Sequence, residues 1–333
     1  MNINPGKTEF SDAELAALRT DTRNAMADDR LTQAEVCRQS GVPSSSLSQF
    51  LSNSYPGDNA TIASQLDKWL KARAEAADLR RQLPKIPAFQ PLSGSKTITA
   101  ALAYARETGR MVLIAGNPGV SKTATARQFK ADYPRTWYTA MDPSTRGVPT
   151  MLLEILAAMG VTDARGTPQQ LMAKILKVAA EAKGLICIDE AQHLSELALE
   201  ALRAINDRSR ETAIPVGVAL LGNEVASSRV GPTGTKSTFA QVSSRFAQRR
   251  WIVAPNAADA AALAQAWAAE NGEVITKAEI GFCLEIAAKP GGLRNIEMTM
   301  EAAILAARGA EEPLSISHLK GAFSQLSGVA FAR

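Results

Sequence analysis

Short apolar runs alternate with helical stretches through the middle of the chain. The runs lie at residues 111–115, 136–141, 184–188, 216–221 and 251–254. Runs that are almost continuously apolar and separated by helices are typical of a parallel sheet covered by helices on both faces. The pattern therefore predicts an α/β domain built on a five-stranded parallel sheet.

The two ends of the chain have helical patterns instead. Residues 1–82 read as helices, and the alanine-rich segment from residue 256 onward has helical periodicity without a strand signal. Pro84, Pro87 and Pro91 lie between the first segment and the sheet, where they oppose a helix and favour an extended linker. We therefore predict a helical domain at 1–82, a linker at 83–95, an α/β core at 96–255 and a C-terminal helical subdomain at 256–333.

The composition, with 46% hydrophobic and 21% charged residues in a chain of 333, is typical of a soluble protein. No apolar run approaches the ~18 residues needed to span a bilayer, and the N-terminus does not read as a secretory signal. The 3 cysteines and 2 histidines match neither a disulfide framework nor a zinc site, which favours buried thiols in a reducing compartment. We expect a cytoplasmic protein with no membrane partner.

Charge is unevenly distributed along the chain. Residues 1–85 contain 11 Lys+Arg and 11 Asp+Glu, so the whole net charge of +4 falls on the remainder. If the protein binds DNA, attraction to the phosphates should therefore come mainly from the part after residue 85.

The segment at 31–53, LTQAEVCRQSGVPSSSLSQFLSN, resembles the helix-turn-helix of phage repressors. Cys37 is small enough for two helices to cross closely, Gly41 permits a left-handed turn, and Pro43 suits the first turn of the second helix. The exposed face of that helix would carry short polar side chains able to reach phosphates or base edges. These candidate DNA contacts are Ser44, Ser45, Ser46 and Gln49.

A small helical domain that only contacts other proteins is the alternative for this segment. The predicted second helix carries no Arg or Lys. Because the bidentate arginine–guanine contact is then missing, we do not expect the domain to read a specific DNA sequence.

A Walker A pattern follows the first apolar run. The residues are Gly116, Asn117, Pro118, Gly119, Val120, Ser121, Lys122 and Thr123. In this strand–loop–helix setting the backbone N–H groups cradle ATP phosphates, Lys122 reaches the terminal ones, and Thr123 ligates Mg²⁺. Ser121 stands where the pattern usually has glycine, and its Cβ is expected to crowd the loop and weaken nucleotide affinity or turnover.

The third apolar run ends in two carboxylates, Asp189 and Glu190. This is the Walker B arrangement, in which Asp189 would hold Mg²⁺ through water and Glu190 would act as the general base on the attacking water. Together the two motifs predict an ATPase.

Three more positions resemble the AAA+ family of P-loop ATPases. Asn223 follows the fourth apolar run, where the family places its sensor 1, and Arg245 in a Ser-Arg-Phe sequence resembles an arginine finger. Arg249 is the alternative finger, and Arg294 in Gly-Gly-Leu-Arg resembles sensor 2. The resemblance implies that the finger completes a neighbouring subunit's site, so the working species would be a ring or a filament of this chain.

The order of the parts resembles the family of phage Mu B-type target selectors of DNA transposition. The resemblance lies in the repressor-like segment, the proline-containing linker, and the sequences GNPGVSKT, IDEAQHL, LLGN, SRF and KPGGLRN. The resemblance implies an ATP-bound oligomer that coats double-stranded DNA without strong sequence preference, delivers it to a transposase and hydrolyses ATP slowly until a partner stimulates it. It would act in the host cytoplasm. As DNA contacts of the ATPase part we expect Lys130, Thr145, Arg146 and Arg165.

Other classes of function stay open at this point. One is a nucleotide switch of a secretion or signalling system, in which the first domain binds protein. Another is a replication initiator or helicase loader, which would prefer an origin sequence. Ser121 raises a third, a protein that binds ATP without hydrolysing it.

Overall fold

A computed structural model describes residues 9–230 and 243–328 of the chain. The chain forms two compact units, one ending at Leu83 and the other beginning at Pro84. Within the described ranges, no helix is both long and apolar enough to cross a membrane.

The first unit is a bundle of four described helices. They are α1 (Asp12–Asp28), α2 (Gln33–Ser40), α3 (Ser44–Leu51) and α4 (Asn59–Gln82). Its core contains Val36, Val42, Leu47, Phe50 and Leu66, each at most 1% exposed. The predicted helix-turn-helix is formed by α2 and α3.

The turn between α2 and α3 is set by a few residues. Thr32 and Glu35 form a capping box that begins α2, and Gly41 ends it with a left-handed φ of 76°. Pro43 is the N-cap of α3 rather than part of its first turn, because its ψ of 144° is extended. The expected burial of Cys37 is also wrong: this side chain is only half-buried at the edge of the core.

The second unit contains the predicted sheet. Its strands are β1 (Met111–Gly116), β2 (Thr136–Ala140), β3 (Leu185–Asp189), β4 (Gly217–Gly222) and β5 (Phe246–Ile252). All pair in parallel in the order β2-β3-β4-β1-β5. Its described helices are α5 (Ser93–Thr108), α6 (Lys122–Asp132), α7 (Val148–Ala158), α8 (Pro168–Ala179), α9 (Glu196–Ser209), α10 (Glu224–Val230), α11 (Ala257–Glu270), α12 (Lys277–Ala287), α13 (Leu293–Gly309) and α14 (Ile316–Ser327).

Alternate side chains of the central strands enter two separate cores. Leu113, Ile186 and Leu220 belong to the core that contains α7, α8 and α9. Ile114 and Leu221 belong to the core that contains α5 and α6. Because both faces are buried, β1 and β4 are apolar throughout and β3 is apolar up to Asp189, which is why sequence located them within one residue.

β5 is longer than predicted and begins five residues earlier, at Phe246. It is an edge strand, and the side chains of Ala247, Arg249 and Arg250 are exposed. The exposed polar residues in the middle of β5 interrupt its pattern, so only Trp251 and Ile252 at its end belong to the apolar run that sequence analysis detected.

Helices α11 to α14 form the C-terminal lid, with a core of its own. The segment before α5 packs on this lid: Leu92 is buried in the lid core, and Lys85 exchanges two hydrogen bonds with Asn271, of 2.8 and 2.9 Å. The predicted linker therefore ends at Leu92 instead of residue 95. α5 can begin at Ser93 because the N–H and hydroxyl of Ser93 both donate to the Asp259 carboxylate of the lid.

Candidate nucleotide site of the second unit

The loop between β1 and α6 wraps around the amino group of Lys122. This group donates to the carbonyl oxygens of Gly116 and Asn117 at 2.7 and 3.0 Å. Burial lowers the pKa of Lys122, the carboxylates of Asp189 and Glu190 oppose that shift, and Arg294 adds to it. The cation is thus held inside the loop, where a terminal phosphate would meet it.

Ser121 adopts the left-handed conformation that its position in the loop requires, with φ of 61°. Its hydroxyl donates to the Val120 carbonyl at 2.7 Å and lies 3.1 Å from the hydroxyl of Ser95 on α5. The side chain is therefore directed at α5. The backbone conformation costs a non-glycine residue about 1–3 kcal/mol.

Thr123 and Asp189 are adjacent, as the two motifs predict. The Thr123 hydroxyl donates to Asp189 Oδ2 at 2.6 Å, and the hydroxyl of Tyr138 on β2 donates to the same oxygen at 3.0 Å. Burial, followed by the Asp189 charge, raises the pKa of Tyr138, so the phenol remains a donor. Two hard oxygen ligands side by side fit Mg²⁺, which needs few protein ligands when phosphates supply the others. Sequence analysis did not identify Tyr138.

Glu190 begins the turn after β3 in a left-handed conformation, with φ of 54°. Its N–H donates to Asp189 Oδ1 at 2.9 Å. The side-chain amide of Gln192 donates to its carboxylate at Oε2. Sequence analysis did not identify Gln192, which lies two residues beyond the Walker B pair.

Asn223 lies at the end of β4 beside the same space. Its amide oxygen accepts from the N–H groups of Val225 and Ala226 at 2.9 and 3.3 Å, so it caps α10. The amide NH₂ group is the part of Asn223 that can face a phosphate.

A cavity of about 810 Å³ lies against the phosphate loop. Its wall contains residues 118–124, Glu190, Asn223 and Arg294. An apolar part of the remaining wall comes from two places that sequence analysis did not connect with the site. From the predicted linker come Ile86, Pro87, Phe89 and Leu92, and from the lid come Leu263, Trp267 and Met298. A hydrophobic wall opposite a phosphate loop has the layout of a nucleotide site.

The lid meets the phosphate loop through backbone contacts. The N–H of Leu293 donates to the Gly119 carbonyl at 2.9 Å. A Cβ on Gly119 would lie 1.7 Å from the carbonyl oxygen of Gly291, so only glycine fits there. This contact places Arg294 at the cavity.

Arg245 and Arg249 both lie outside the residues that line the cavity. The Arg245 guanidinium is 3.5 Å from Asp207, and its side chain is 49% exposed. Arg249 donates to the carbonyl and hydroxyl oxygens of Ser243, the latter at 2.7 Å. Of the two, Arg245 is therefore the more available to another molecule.

The candidate DNA contacts of this unit lie on separate elements. Lys130 on α6 is exposed, as are Arg146 after β2 and Arg165 before α8. Thr145 is half-buried, and its hydroxyl donates to the Asp142 carbonyl at 3.2 Å. The three cations are thus accessible to a partner.

The candidate contacts of the first unit lie on α3. Ser44, Ser45 and Gln49 are exposed, and Ser46 is half-buried. Arg19 and Arg23 of α1 donate to the carbonyls of Phe50 and Leu51 at the C-terminal end of α3.

The phosphate loop, the Walker B pair on a buried parallel sheet and the helical lid define an AAA+ P-loop ATPase. Family models agree: residues 105–230 match an AAA domain, and residues 244–326 match the Mu B transposition protein, C terminal.

Relatives identify the particular family. The chain is 30% identical over 312 residues to the ATP-dependent target DNA activator B of Escherichia phage Mu, which covers 94% of this chain and 96% of the relative. The corresponding protein of Escherichia phage D108 gives the same figures. The Mu-like prophage FluMu DNA transposition protein B of Haemophilus influenzae is 30% identical over 278 residues, 82% of this chain and 92% of the relative. The chain belongs to the Mu B transposition protein family.

Solved structures show the same fold at low sequence identity. The ORC2 protein of Aeropyrum pernix, solved with ADPNP and ADP, is 15% identical with a TM-score of 0.58, covering 74% of this chain and 71% of that one. The ORC1 protein of Aeropyrum pernix, solved with DNA, is 16% identical with a TM-score of 0.53, covering 74% and 67%.

Proposed function

We propose that this protein binds ATP, assembles on double-stranded DNA with little sequence preference and delivers that DNA to a transposase, so that transposition uses it as a target. Membership of the Mu B family supports the proposal. The observation that carries the ATP-dependent part is that Lys122, Thr123 and Glu190 line one cavity and that the Thr123 hydroxyl donates to Asp189.

The cavity suggests how ATP lies. The N–H groups of residues 116–123 would cradle the phosphates, Lys122 and Arg294 would meet the terminal one, and the base would lie against Phe89 and Trp267. Thr123 and Asp189 would hold Mg²⁺, which supplies charge neutralisation for the phosphates.

Glu190 would accept the proton of the attacking water while the terminal phosphoryl group of ATP passes to the water oxygen and ADP leaves. The NH₂ group of Asn223 would help to orient that water. Turnover is expected to be slow until a partner raises it, because neither Arg245 nor Arg249 is among the residues that line this chain's own cavity.

Assembly would supply the missing finger. Arg245 is exposed and lies outside the cavity of its own chain, which suits a role at the nucleotide of a neighbouring copy. A contact of this head-to-tail kind produces a ring or a helical filament. ATP bound between copies would then stabilise the assembly.

DNA would meet the assembly through Lys130, Thr145, Arg146 and Arg165, repeated once per subunit. Because every subunit repeats the same weak phosphate contacts, avidity would make the assembly bind DNA tightly. Contacts to phosphates do not depend on the base sequence, so no arginine that reads bases is required. In the first unit, Ser44, Ser45, Ser46 and Gln49 would add minor contacts.

We retain the predicted division into a helix-turn-helix domain, a linker, an ATPase core and a lid, with the linker ending at Leu92. A protein with this role would work in the cytoplasm of a bacterial host.

The test is DNA binding by the wild type, Lys122→Ala and a matched control, Lys277→Ala, whose lysine is exposed on α12 outside the cavity. Each is measured with ATP, ADP and no nucleotide, on unrelated duplexes at two salt concentrations. We expect wild type and Lys277→Ala to bind every duplex with ATP only, and more weakly at high salt, while Lys122→Ala does not bind. If no nucleotide state binds DNA, the target-delivery proposal is wrong.

A further inference from the structure

Ser121 occupies a position in the phosphate loop where the backbone is left-handed, with φ of 61°. Residues with a Cβ avoid this conformation, and they keep it only where the surrounding structure holds them there. The loop therefore needs contacts that stabilise Ser121 in this conformation. The hydroxyl of Ser121 makes two such contacts.

This hydroxyl joins the phosphate loop to α5. It donates to the Val120 carbonyl oxygen at 2.7 Å, and its oxygen lies 3.1 Å from the hydroxyl oxygen of Ser95. A serine hydroxyl carries a single hydrogen. Because Ser121 directs that hydrogen to Val120, Ser95 is the donor in the second bond and Ser121 is its acceptor.

Ser95 depends on this bond because its side chain is buried, with 1% of the residue exposed. Within the described ranges, its hydroxyl has no other hydrogen-bond partner. A buried donor that loses its acceptor destabilises the structure that contains it. Ser95 therefore opposes any movement of Ser121 away from α5.

The first turn of α5 is itself held in place from the lid. The N–H and the hydroxyl of Ser93 both donate to the Asp259 carboxylate, and a negative charge is favourable at the N-terminus of a helix. The turn also packs directly on the phosphate loop, since a Cβ on Gly94 would lie 3.6 Å from the Val120 carbonyl oxygen. Ser95 thus offers its hydroxyl to the loop from a fixed position.

We propose that Ser95 and Ser121 are a pair of positioning residues for ATP binding: the hydrogen bond from Ser95 holds Ser121 in the left-handed conformation that the phosphate loop needs to bind phosphate. The proposal rests on the ATP binding proposed above, and it adds a residue outside the Walker motifs to that site. It also replaces the expectation that Ser121 crowds the loop. The hydroxyl stabilises a conformation that glycine would adopt without strain.

Loss of this bond should act on nucleotide affinity and not on the chemical step. Without the bond, the nucleotide-free loop spends less time in the conformation that binds phosphate, and the apparent affinity falls with that fraction. Once ATP is bound, the loop has the same conformation in wild type and variant. The KM for ATP should therefore rise while kcat stays the same.

Ser95→Ala in the full chain tests this, because it removes the donor and leaves the sequence of the phosphate loop intact. We expect the Kd for ATP, measured by isothermal titration, and the KM of hydrolysis each to rise about tenfold, the effect of one hydrogen bond. The kcat should stay within about twofold of wild type. Thr97→Ala, which removes an exposed hydroxyl from the same helix, is the matched control and should behave as wild type. Thermal unfolding checks that both variants are folded.

Substitutions of Ser121 separate this role from crowding. Ser121→Ala removes the acceptor and keeps the strained backbone, whereas Ser121→Gly also removes the strain, so alanine should weaken ATP binding more than glycine does. The double variant with Ser95→Ala and Ser121→Ala should bind ATP no more weakly than Ser121→Ala alone, because both changes break one bond. If Ser121 instead crowded the loop, Ser121→Ala and Ser121→Gly would both bind ATP at least as tightly as wild type.

The outcomes separate this proposal from the one it rests on. Wild type that binds ATP, together with Ser95→Ala that binds it within about twofold as tightly, overturns the positioning pair alone. The same holds if the losses caused by Ser95→Ala and Ser121→Ala multiply in the double variant, or if Ser95→Ala lowers kcat and leaves KM unchanged. Wild type that binds no ATP overturns both the positioning pair and the ATP-dependent part of the proposed function.

Discussion

Each unit of the chain contains a glycine with the same backbone angle, and the two glycines do different work. Gly41 in the helix-turn-helix and Gly119 in the phosphate loop both have φ of 76°. A Cβ added to Gly41 would meet nothing within 4 Å, whereas a Cβ on Gly119 would lie 1.7 Å from the Gly291 carbonyl oxygen. Gly41 only allows a turn, whereas Gly119 also allows the backbone of the lid to contact the phosphate loop.

The same difference holds for the side chains of the two units. On α3 the exposed residues are short and uncharged, and the helix is fixed by its core and by two arginines of α1. Around the phosphate loop, Lys122, Thr123, Asp189 and Glu190 are each held by hydrogen bonds to named partners. The contacts of α3 serve to stabilise the fold of the first unit, whereas those around the phosphate loop also position charged side chains.

The largest expected effect comes from adding a methyl group to each glycine. Gly119→Ala should abolish nucleotide binding, because the lid and the phosphate loop cannot remain in contact. Gly41→Ala should lower the free energy of unfolding by about 1–2 kcal/mol through backbone strain and leave ATP affinity unchanged. Isothermal titration with ATP and thermal unfolding of both variants check this. Gly160→Ala, at φ of 88° with open space around it, controls for strain in the second unit. ATP binding by Gly119→Ala within tenfold of wild type would contradict the close contact.

Tyr138→Phe should have the next largest effect. It removes one of the two hydroxyls that orient Asp189, and loss of such a supporting hydrogen bond typically weakens metal affinity by about tenfold. The measurement is the Mg²⁺ concentration needed for half-maximal ATP affinity. Tyr133→Phe, which removes the hydroxyl of a tyrosine stacked on Phe129, is the matched control and should leave that concentration unchanged. An unchanged Mg²⁺ requirement in Tyr138→Phe would show that Asp189 does not depend on the tyrosine.

Substitutions on α3 should have a smaller effect. Because this face has no cation, replacing Ser45 and Gln49 by alanine should change DNA affinity with ATP by less than about threefold and leave its dependence on salt intact. Arg146→Ala should instead reduce the salt dependence by about one ion per subunit. Titration of the DNA-bound state with salt measures both. A larger loss from the α3 variant than from Arg146→Ala would reverse the assignment of DNA binding to the second unit.

The smallest expected effect concerns stability and pH. Burial lowers the pKa of Lys122, so between its folded-state pKa and the ordinary value of 10.5 the unfolded chain binds more protons than the folded one. The Lys122 contribution to stability therefore increases as pH rises through that window. The free energy of unfolding is compared between wild type and Lys122→Met, without nucleotide. The value for wild type minus the value for the variant should become more positive as pH increases toward 10.5. A difference between the two proteins that does not change with pH would contradict the buried charge.

Sequence was sufficient where a structural feature depends on residues close together in the chain. The phosphate loop, the Walker B pair and the turn at Gly41 depend on neighbouring residues, and the central strands are apolar because both faces are buried. The contacts of Tyr138 with Asp189 and of Gly119 with Gly291 join positions far apart in the chain, and no local pattern marks either of them.

The linker shows the same limit. Its prolines indicated an extended segment, but the contacts that place Phe89 and Leu92 at the nucleotide cavity come from lid residues such as Asn271. Arg245 was singled out by resemblance, and its exposure outside the cavity became visible only in the fold. Gln192 lay inside a recognised motif, yet its contact with Glu190 depends on the turn at 191–193.

The most direct test of the account is the DNA affinity of Glu190→Gln with ATP and with ADP. Removal of the proposed general base should lower the rate of ATP hydrolysis by about 10²–10⁴-fold and preserve nucleotide binding. The account predicts that this variant binds duplex DNA with ATP at least as tightly as wild type and stays bound, whereas wild type releases DNA as ATP becomes ADP. If Glu190→Gln binds DNA no better with ATP than with ADP, ATP does not control DNA binding and the central claim is wrong.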